Sequence, residues 1–444
     1  MRMQLIKQKQ EKRNMNSQLS IKSKLAVASC ALLQAGTQTA QAEADAGDWD
    51  IDTAFLYYSE ADSRVSVFEP VITAEKEINE DEFLKFKVVY DVLTGSTPYG
   101  AIATKSAQTF TKPSGNSNYT TPANEQPLNS SFRDTRIAFG ADWTLPIDRL
   151  KRVTLGGNFS NEFDYNSLAA SATYAQDSSD RNRTYTVGLG YTSDEWDPVG
   201  GKNPELEFMI DGNFDQGNKG GTDTKTTTDI MLGLTQVINR STIMQFNLGI
   251  SDSSGYLTDP YRFISVLDAN GLPTVDDGTA NAFPYRYEKR PDTRTRNTFF
   301  WRTATHLTED VINFSYRYFT DDWGVNSHTL DFRYRYELGG NHYLQPHIRY
   351  YSQSAADFFV NYLNAGEALP DYASADYRLS EFVGTTFGLK YGMVMDNNSE
   401  FTIRLEAMNQ TYTVSDPVLP EQQGLDIAPD LNALIFQMGY NFYW

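Results

Sequence analysis

Apolar and polar side chains alternate along most of this sequence, and this alternation restricts its fold more than any other feature. Segments of about 10 to 14 residues with a period of two recur from residue 48 to the C-terminus. Side chains of a β-strand point to opposite faces in turn, so each segment predicts a strand with one apolar face. Sixteen strands are predicted, at 48–58, 65–76, 81–93, 132–144, 151–163, 167–176, 183–193, 226–237, 241–252, 296–307, 311–320, 326–337, 342–353, 379–392, 399–412 and 431–444.

The links between the predicted strands alternate in length. After every even-numbered strand the link is brief, as in INED or LGGN, whereas after odd-numbered strands it is often long, as at 94–131 and 253–295. Outer-membrane barrels have this asymmetry, with short periplasmic turns and long external loops. The sequence therefore predicts an all-β fold, a transmembrane antiparallel outer-membrane β-barrel of about 16 strands. An even strand number places both termini in the periplasm, and Trp49, Trp143 and Trp444 then fall at the periplasmic rim.

Composition agrees with a β-rich chain and excludes a helical membrane protein. The 444 residues include 27 Tyr and 26 Phe, which raise the aromatic share to 13%, and aromatic residues are enriched in strands. No apolar run reaches the roughly 18 to 20 residues that a membrane-spanning helix requires. Any membrane crossing must therefore use strands.

The first 42 residues differ from the rest of the chain. A basic segment with seven Lys/Arg precedes the short apolar run LAVASCALLQA, and TAQA supplies small residues up to Ala42. This order predicts a signal peptide at 1–42, cleaved after Ala42, and a transmembrane barrel with long extracellular loops at 43–444. Lipoprotein processing at Cys30 is the less favoured alternative, because only five residues separate it from Lys24 and almost no apolar core is left.

Charge and cysteine content narrow the function classes. The chain has 38 Lys+Arg and 57 Asp+Glu, and the predicted signal peptide removes seven basic residues and one Glu, so the mature net charge is about −25. Such a chain does not attract nucleic acid or anionic lipid non-specifically. Cys30 is the one cysteine of the sequence. A mature chain cut after Ala42 therefore has no disulfide and no thiol chemistry.

The last residues carry a separate signal. The chain ends in GYNFYW, in which Gly439 is followed by aromatic residues at alternate positions, Tyr440, Phe442 and Trp444. This pattern resembles the C-terminal signal by which the barrel-assembly machinery recognises bacterial barrel proteins, although Phe is commoner than Trp at the last position. The resemblance implies insertion into the outer membrane and does not specify transport.

Three further segments carry a narrower resemblance: GYLTDPYRF at 255–263, NFSNEFDYNS at 158–167 and LTQVINRST at 234–242. They resemble parts of an uncharacterised outer-membrane β-barrel family of Gram-negative bacteria, a domain-of-unknown-function group, over most of the mature chain. The resemblance implies the barrel fold, and its motifs bring no activity. Members are often encoded near a flavin transferase and a small lipoprotein, which hints at an envelope redox or export role and at a lipoprotein partner.

The tenth to fifteenth predicted strands carry arginines on their polar face. In DFRYRYEL at 331–338, the aromatic residues share one face and the charged residues share the other. An arginine at the bilayer midplane of a barrel costs roughly 2–4 kcal/mol, so the charged face is expected to point into the lumen. The same parity predicts six lumen-lining arginines on one wall: Arg302, Arg317, Arg333, Arg335, Arg349 and Arg404.

Two interpretations of this arginine wall stay open. Arginines that face acidic residues produce a field across the lumen that orders anionic or dipolar solutes. Alternatively, Asp331, Glu337 and Glu406 pair with the arginines and brace the wall. Sixteen strands enclose more space than side chains readily fill, which supports the interpretation that the arginines act on solutes.

Other constellations give weak signals for chemistry. His342 and His347 are separated by an odd spacing that sends them to opposite faces of a strand, so a shared metal site is not expected. Ser327 and His328 lack a Gly-x-Ser-x-Gly motif or a second base, which disfavours a hydrolase, and the histidines are expected at the rim. The acidic segment 267–278 lacks the ligand spacing of a calcium loop. We therefore expect no catalytic residues, no metal and no cofactor.

These observations favour a channel for small polar or anionic solutes in the bacterial outer membrane. The alternative is a barrel plugged by its own loops that acts as a structural or assembly partner in an envelope complex, and an outer-membrane hydrolase is the least favoured. A siderophore-type energised transporter is not expected, since about five residues precede the first strand and such transporters carry a large plug domain. The expected partners are outer-membrane lipid, lipopolysaccharide, the barrel-assembly machinery, a small solute, and a periplasmic or lipoprotein component; nucleic acid is not expected.

Overall fold

The computed structural model describes residues 49–96, 100–111, 118–128, 132–198, 201–210, 220–414, 419, 428 and 430–444. The predicted signal peptide, its cleavage site after Ala42, and Cys30 lie outside these residues. Within them, no helix is long and apolar enough to cross a membrane.

The described residues form twenty-two strands and two single-turn 3-10 helices, at Ala61–Ser63 and Tyr377–Leu379. The strands are β1 Trp49–Glu60, β2 Val65–Asn79, β3 Glu82–Gly95, β4 Gln108–Thr111, β5 Asn118–Thr121, β6 Arg133–Asp148, β7 Lys151–Asn161, β8 Tyr165–Asp177, β9 Arg183–Trp196, β10 Phe208–Ile210, β11 Asp223–Val237, β12 Thr242–Gly255, β13 Phe263–Leu267, β14 Ala282–Tyr287, β15 Thr293–His306, β16 Val311–Asp321, β17 Asn326–Gly339, β18 His342–Gln353, β19 Tyr362–Asn364, β20 Phe382–Val394, β21 Glu400–Tyr412 and β22 Leu431–Tyr443.

Sixteen of these strands close an antiparallel barrel. Their order is β1-β2-β3-β6-β7-β8-β9-β11-β12-β15-β16-β17-β18-β20-β21-β22. Closure joins β1 to β22 over eleven residue pairs, from Asp50 opposite Tyr443 to Glu60 opposite Ala433. The predicted all-β barrel and all sixteen predicted strands are confirmed.

Several strand ends beside the long links extend beyond the prediction, although the largest difference is at the short-turn end of β6, which ends at Asp148 rather than 144. β11 begins at Asp223 rather than 226, β15 begins at Thr293 rather than 296, and β12 continues to Gly255. Cross-strand pairing explains the added length, because Asp223 pairs with Trp196 and Lys225 pairs with Gly255. These ends are rich in Ser, Thr and Asp on both faces, so the alternation of apolar and polar residues is lost there.

Alternation sets the two surfaces of the barrel. Large apolar side chains point outward from strands all around it and stay exposed, among them Ile72, Phe139, Leu189, Leu248 and Phe387. The residues between them face the lumen and are mostly polar or charged. The outside of the barrel is therefore an exposed apolar belt, the reverse of what a barrel in water requires.

The two ends of the barrel have different connections. At one end β2 and β3 are joined by residues 80–81, and β17 and β18 by Gly340 and Asn341. The φ angles of Gly340 and Asn341 are 60° and 67°, the left-handed values that a two-residue hairpin turn requires. The long links leave from the other end, which confirms the predicted alternation of link length.

The long links fold into a cap that the sequence did not predict. A four-stranded sheet in the order β10-β14-β13-β19 takes strands from three separate links, 197–222, 256–292 and 354–381. β4 and β5 pair as a hairpin in a fourth link, 96–132. The shortness of these strands, three to six residues, explains why alternation alone did not reveal them.

The cap has its own apolar core. Ile264, Leu267 and Tyr285 are fully buried. From the link 96–132, the backbone of Ile102 accepts a hydrogen bond of 3.0 Å from the Tyr285 hydroxyl, and its N–H donates to Ser265 at 2.8 Å. Links that are distant in sequence are thus packed into one body.

The cap contacts the inner face of the barrel wall. Leu56, Tyr412 and Ile435 face inward and are buried, and they belong to an apolar cluster of β1, β2, β20, β21 and β22. Tyr377, from the link 354–381, packs on this cluster, with its ring centroid 5.4 Å from that of Tyr412. Gln353, at the end of β18, donates a hydrogen bond of 2.8 Å to the Ser380 carbonyl. The cap is therefore seated in the mouth of the barrel.

Candidate functional site

The six predicted arginines lie on the inner face of adjoining strands. Ile348 and Tyr350, which flank Arg349, are 49% and 42% exposed on the outside, so Arg349 points inward. Residues that pair across neighbouring strands lie on the same face of the sheet. Arg349 pairs with Asp331, and Asp331 pairs with Ser315, so these residues all face inward. The six arginines share one stretch of inner wall, on β15, β16, β17, β18 and β21.

Three more basic side chains belong to this wall, and the sequence analysis missed them. Arg294 and Arg296 have the parity of Arg302 on β15, and Lys390 on β20 pairs with Arg404. Arg296 and Lys390 lie within predicted strands, at 296–307 and 379–392, so alternation could have found them, whereas Arg294 precedes the predicted start of its strand. We call the nine residues the basic wall: Arg294, Arg296, Arg302, Arg317, Arg333, Arg335, Arg349, Lys390 and Arg404.

Most of the six predicted arginines have a partner on the wall. Three are beside a carboxylate, as the bracing interpretation requires, and two contact a neutral side chain. The pairs are Arg333 with Asp331 at 3.0 Å, Arg335 with Glu337 at 2.7 Å, Arg404 with Glu406 at 3.7 Å, Arg302 with Asn313 at 2.7 Å, and Arg317 over the ring of Phe300 at 5.5 Å.

His347 joins two of these pairs. Its Nε2 lies 2.8 Å from Asp331 and its Nδ1 lies 2.8 Å from Glu406, so one buried imidazole links β17, β18 and β21. The expectation of a rim position was therefore wrong for His347. His342 lies on the outer face and contacts the Tyr391 hydroxyl at 2.7 Å. The predicted opposite orientation of His342 and His347 is confirmed.

Tyr343 fills the basic wall near the short-turn end. Its ring is fully buried and lies over Gly392, where a Cβ atom would overlap it. The Arg335 guanidinium stacks 3.6 Å from the ring centroid, and the Tyr343 hydroxyl donates to Glu400. Glycine at position 392 is thus required by close packing, a role that alternation does not reveal.

An acidic wall stands on the other side of the lumen. It consists of inward carboxylates on β1, β2, β3 and β6, together with three basic residues. Arg136 lies 2.5 Å from Asp91 and 3.8 Å from Glu69, and Lys85 lies 3.6 Å from Glu75. The acidic wall comprises Asp50, Asp52, Glu69, Glu75, Asp91 and Asp142, with Lys85, Lys87 and Arg136 among them.

Small polar residues separate the two walls. The inner face of β9, β11 and β12 presents mostly Ser, Thr, Gly and Asn, for example Thr227, which lies 2.9 Å from Ser253. It also carries the buried Asp229 and a buried ion pair between Lys225 and Asp194 at 2.9 Å. Arg296 donates to Ser251 at 2.6 Å and to Ser253 at 2.9 Å, where this polar stretch meets the basic wall. The inner face of the barrel thus has an acidic wall, a basic wall and, between them, a polar stretch with few charges.

A network of six charges, four of them buried, holds the cap together. It alternates three carboxylates with three arginines from the links 256–292 and 354–381. Asp376 is fully buried and lies 2.8 Å from Arg290 and 3.8 Å from Arg262. We call this group the cap network: Asp259, Arg262, Glu288, Arg290, Asp376 and Arg378.

The cap network includes two residues of GYLTDPYRF. Asp259 accepts a hydrogen bond of 2.6 Å from Arg378 and donates its backbone N–H to Glu288 at 2.7 Å. Arg262 stacks over the ring of Tyr377 at 5.4 Å, and Tyr377 contacts the barrel interior. This segment therefore ties one link of the cap to another and to the mouth of the barrel, which sequence reasoning could not assign.

Electrostatics favours the charged form of the two aspartates of the cap network but not of its glutamate. Burial alone would raise the pKa of Asp376, but Arg262, Arg378 and Arg290 hold that pKa well below its ordinary value. The pKa of Asp259 is also lowered, because the same three arginines outweigh its burial. The pKa of Glu288 is raised, because burial outweighs its attraction to Arg290.

The predicted assembly signal forms the second half of β22. Gly439 pairs with Ala54 on one side and Thr402 on the other, and its missing side chain leaves room for the Thr402 hydroxyl. The rings of Tyr440 and Phe442 stack at 5.3 Å, and Trp444 is 79% exposed. Recognition of these residues by the assembly machinery stays a prediction.

The remaining chemistry-bearing residues form no reactive group in the described part of the chain. No cluster of three or more His, Cys, Asp or Glu there could hold a metal ion. Ser327 faces inward and His328 faces outward, where it contacts Tyr316 at 2.8 Å, so the two cannot act as a pair. In the acidic segment, Asp276 and Asp277 both contact Arg286, at 3.2 and 3.4 Å.

Family membership agrees with a barrel of unassigned activity. The family described as protein of unknown function (DUF3570) matches residues 22–442. The chain belongs to the DUF3570 family. The predicted membership of an uncharacterised family is confirmed, and no reaction or ligand comes with it. No curated protein sequence matches this DUF3570 chain.

Solved barrel structures are similar to this DUF3570 chain at low identity. The siderophore receptor PirA from Acinetobacter baumannii is similar over 84% of this chain and 54% of its own, with 8% identity and a TM-score of 0.42. The siderophore receptor PirA from Pseudomonas aeruginosa is similar over 85% of this chain and 60% of its own, with 9% identity and a TM-score of 0.38. OccK5 (OpdH) from Pseudomonas aeruginosa is similar over 89% of this chain and 98% of its own, with 8% identity and a TM-score of 0.40. The chain spans little more than half the length of the siderophore receptors, and these similarities assign it no activity.

Proposed function

We propose that this DUF3570 protein is a bacterial outer-membrane barrel that acts as a gated channel for small polar or anionic solutes. The exposed apolar belt supports the membrane location, because lipid tails cover such a surface more favourably than water does. Outer-membrane lipid and lipopolysaccharide are then the partners of the belt. The first residue of β1, Trp49, and the last residue of β22, Tyr443, lie at the short-turn end; in this proposal that end is periplasmic, as in barrels of this kind.

The separation of charge inside the barrel carries the proposal. The basic wall on β15 to β21 and the acidic wall on β1 to β6 are divided by the inner face of β9 to β12, which is mostly Ser, Thr, Gly and Asn with few charges. A lumen with low-dielectric walls focuses the field between opposite charges. Such a field orients polar solutes and favours small anions along the basic wall. A wall built for bracing alone does not need its opposite charges on different sides.

The cap supplies the gate in this proposal. Its apolar core and the cap network hold four links in one body, and Tyr377 seats that body on the inner wall. Solutes pass when the cap is displaced from this seat. The barrel wall has its own complete ladder of strand pairs, so the cap can move without opening the barrel.

Planar-bilayer recording on the refolded full chain tests the channel. We expect steps of stable conductance that are rare in the wild-type chain and frequent in Asp376→Asn, which weakens the cap network. Circular dichroism before each recording verifies that both proteins contain the barrel. Absence of conductance in both folded proteins would falsify the channel.

A loop-plugged barrel that serves as an assembly partner is the second candidate. The cap core favours it, since Ile264 and Tyr285 are as buried as the core of a soluble domain and resist opening. This candidate predicts no conductance in either protein and a partner from the periplasm or a lipoprotein that co-purifies after cross-linking. The orientation of Ser327 and His328 gives no support to an outer-membrane hydrolase.

Processing of the N-terminus belongs to the same proposal. The short apolar run and TAQA place the signal-peptide cut after Ala42, so the mature chain begins at Glu43. Mass spectrometry of protein purified from the membrane measures this mass directly. A lipid on Cys30 would instead show that the chain is anchored as a lipoprotein.

A further inference from the structure

Arg349 differs from the other five predicted lumen arginines. Each of those five has a carboxylate, amide or aromatic partner, as described above. In the part of the chain that the structure describes, no hydrogen bond or ion pair is formed by the Arg349 side chain, and Asp331 beside it is already bound by Arg333 and His347. Arg349 is half-buried on the inner face of β18. Its guanidinium is therefore open to a ligand from the lumen.

The surroundings of Arg349 are basic and polar. Its cross-strand neighbours are Asp331 on β17 and Thr386 on β20. Thr329 on β17 pairs with Arg317 on one side and, on the other, with Tyr351, which lies two residues after Arg349 on the same face of β18. Arg317 and Arg349 thus place two positive charges on one stretch of the wall. Because Asp331 is shared among several cations, it does not neutralise Arg349 by itself.

A free guanidinium in such a place has a preferred ligand. Its planar array of N–H donors matches the two oxygens of a carboxylate or of a phosphate group, and the paired hydrogen bonds are charge-assisted. Chloride, a single spherical ion, can accept both N–H groups only at one centre, so it does not match the two parallel donors as two oxygens do. The positive potential of the basic wall adds attraction without fixing the shape of the ligand.

We propose that Arg349 is the solute-binding residue of the lumen and that it takes a small oxyanion, a carboxylate or a phosphate, in a two-point contact. This inference rests on the proposed channel function and narrows its solute class. It also distinguishes Arg349, which binds the solute, from the neighbouring arginines, whose side chains contact other residues of the wall. A lysine at this position keeps the charge but loses the planar pair of donors.

Calorimetric titration of the refolded full chain in detergent tests binding without requiring conductance. Malonate and inorganic phosphate serve as separate probes, and sodium chloride is kept constant. We expect the wild-type chain to bind at least one of them and Arg349→Gln to bind it at least about tenfold more weakly, because the variant loses both charge-assisted hydrogen bonds. Arg349→Lys is expected to fall near Arg349→Gln.

Arg152→Gln is the matched control. Arg152 also faces inward, on β7, but it lies 3.2 Å from Asp177 and outside the basic wall. The Arg152→Gln variant should bind the probes as the wild-type chain does. Equal binding of the probes by all four proteins overturns the inference. Loss of binding in Arg349→Gln with full binding in Arg349→Lys also overturns it, because a positive charge without the planar pair of donors would then be enough to bind the probe. Weak binding by every protein, wild type included, also overturns it.

Bilayer recording of the same four proteins separates this inference from the channel proposal. Block of the chloride current by the bound probe, lost in Arg349→Gln, supports both. Calorimetric binding at Arg349 without any conductance retains the site and rejects the channel. Conductance that the probes never block, together with no calorimetric binding, retains the channel and rejects the site.

Discussion

Trp49 and Trp444 exchange two backbone hydrogen bonds, 2.7 Å from Trp49 to Trp444 and 2.9 Å in the reverse direction. They lie at the two ends of the barrel sequence, so this pair completes the seam between β1 and β22. The last residue of the chain is therefore part of the barrel ladder as well as of the predicted assembly signal.

Deletion of Phe442 to Trp444 should lower the yield of folded protein in the membrane sharply. The change removes the pairs of Phe442 with Ile51 and Tyr443 with Asp50, and it removes the hydrogen bonds between Trp49 and Trp444. Membrane fractionation with quantitative blotting measures the yield. Trp444→Phe keeps the ladder and a terminal aromatic, so it should remain near wild type. Normal amounts of the folded deletion variant would contradict the role of the C-terminus.

Replacement of Arg333 and Arg335 with Gln should shift ion selectivity towards cations. Two positive charges leave the basic wall, while Asp331 and Glu337 stay. Arg335 is buried and stacked on Tyr343, so we also expect a loss of stability of about 3–5 kcal/mol when its carboxylate partner is left alone. Reversal potentials in a salt gradient measure selectivity, and urea unfolding measures stability. Unchanged reversal potentials in folded protein would mean that the two arginines only brace the wall.

Gly392→Ala should destabilise the barrel at its short-turn end. The added methyl group overlaps the buried ring of Tyr343, and overpacking of this kind typically costs about 1–3 kcal/mol. Urea unfolding followed by tryptophan fluorescence measures the change. The same substitution made together with Tyr343→Ala should cost much less, because the ring is then absent. Equal costs in the two backgrounds would show that the glycine serves the backbone instead.

Acid should loosen the cap before it unfolds the barrel. The pKa values of Asp376 and Asp259 are lowered in the folded cap, so their contribution is complete above the ordinary aspartate pKa of about 4 and is lost as pH falls further. The raised pKa of Glu288 acts in the opposite sense and offsets part of this loss. Hydrogen exchange of 256–292 and 354–381 across pH 7 to 3, corrected for the intrinsic rate, measures the cap separately from the strands.

Asp376→Asn is the control for this acid effect. It removes a buried charge that three arginines surround, so the cap should be weaker by about 3–5 kcal/mol already at neutral pH. Its further loss of protection on acidification should be smaller than in the wild-type chain. Identical pH profiles for the two proteins would show that another group controls the cap.

Much of the barrel could be predicted from the sequence because its rules are local. A period of two fixes which side chains share a face, and the cost of charge in lipid fixes which face is inside. These two rules identified sixteen strands, the alternation of link lengths and the parity of Arg349 without any knowledge of neighbours. They failed at strand ends such as 223–225, where both faces are polar and the alternation disappears.

Only the tertiary structure decided what the inward residues contact. Parity gave Arg333 and Arg349 the same description, yet the register places Asp331 and His347 so that Arg333 is held and Arg349 is not. The same holds for the cap, where Asp259 meets Arg378 across 119 positions of sequence. A local pattern determines the direction of a side chain, whereas its partner depends on strand register and on long links whose packing is not periodic.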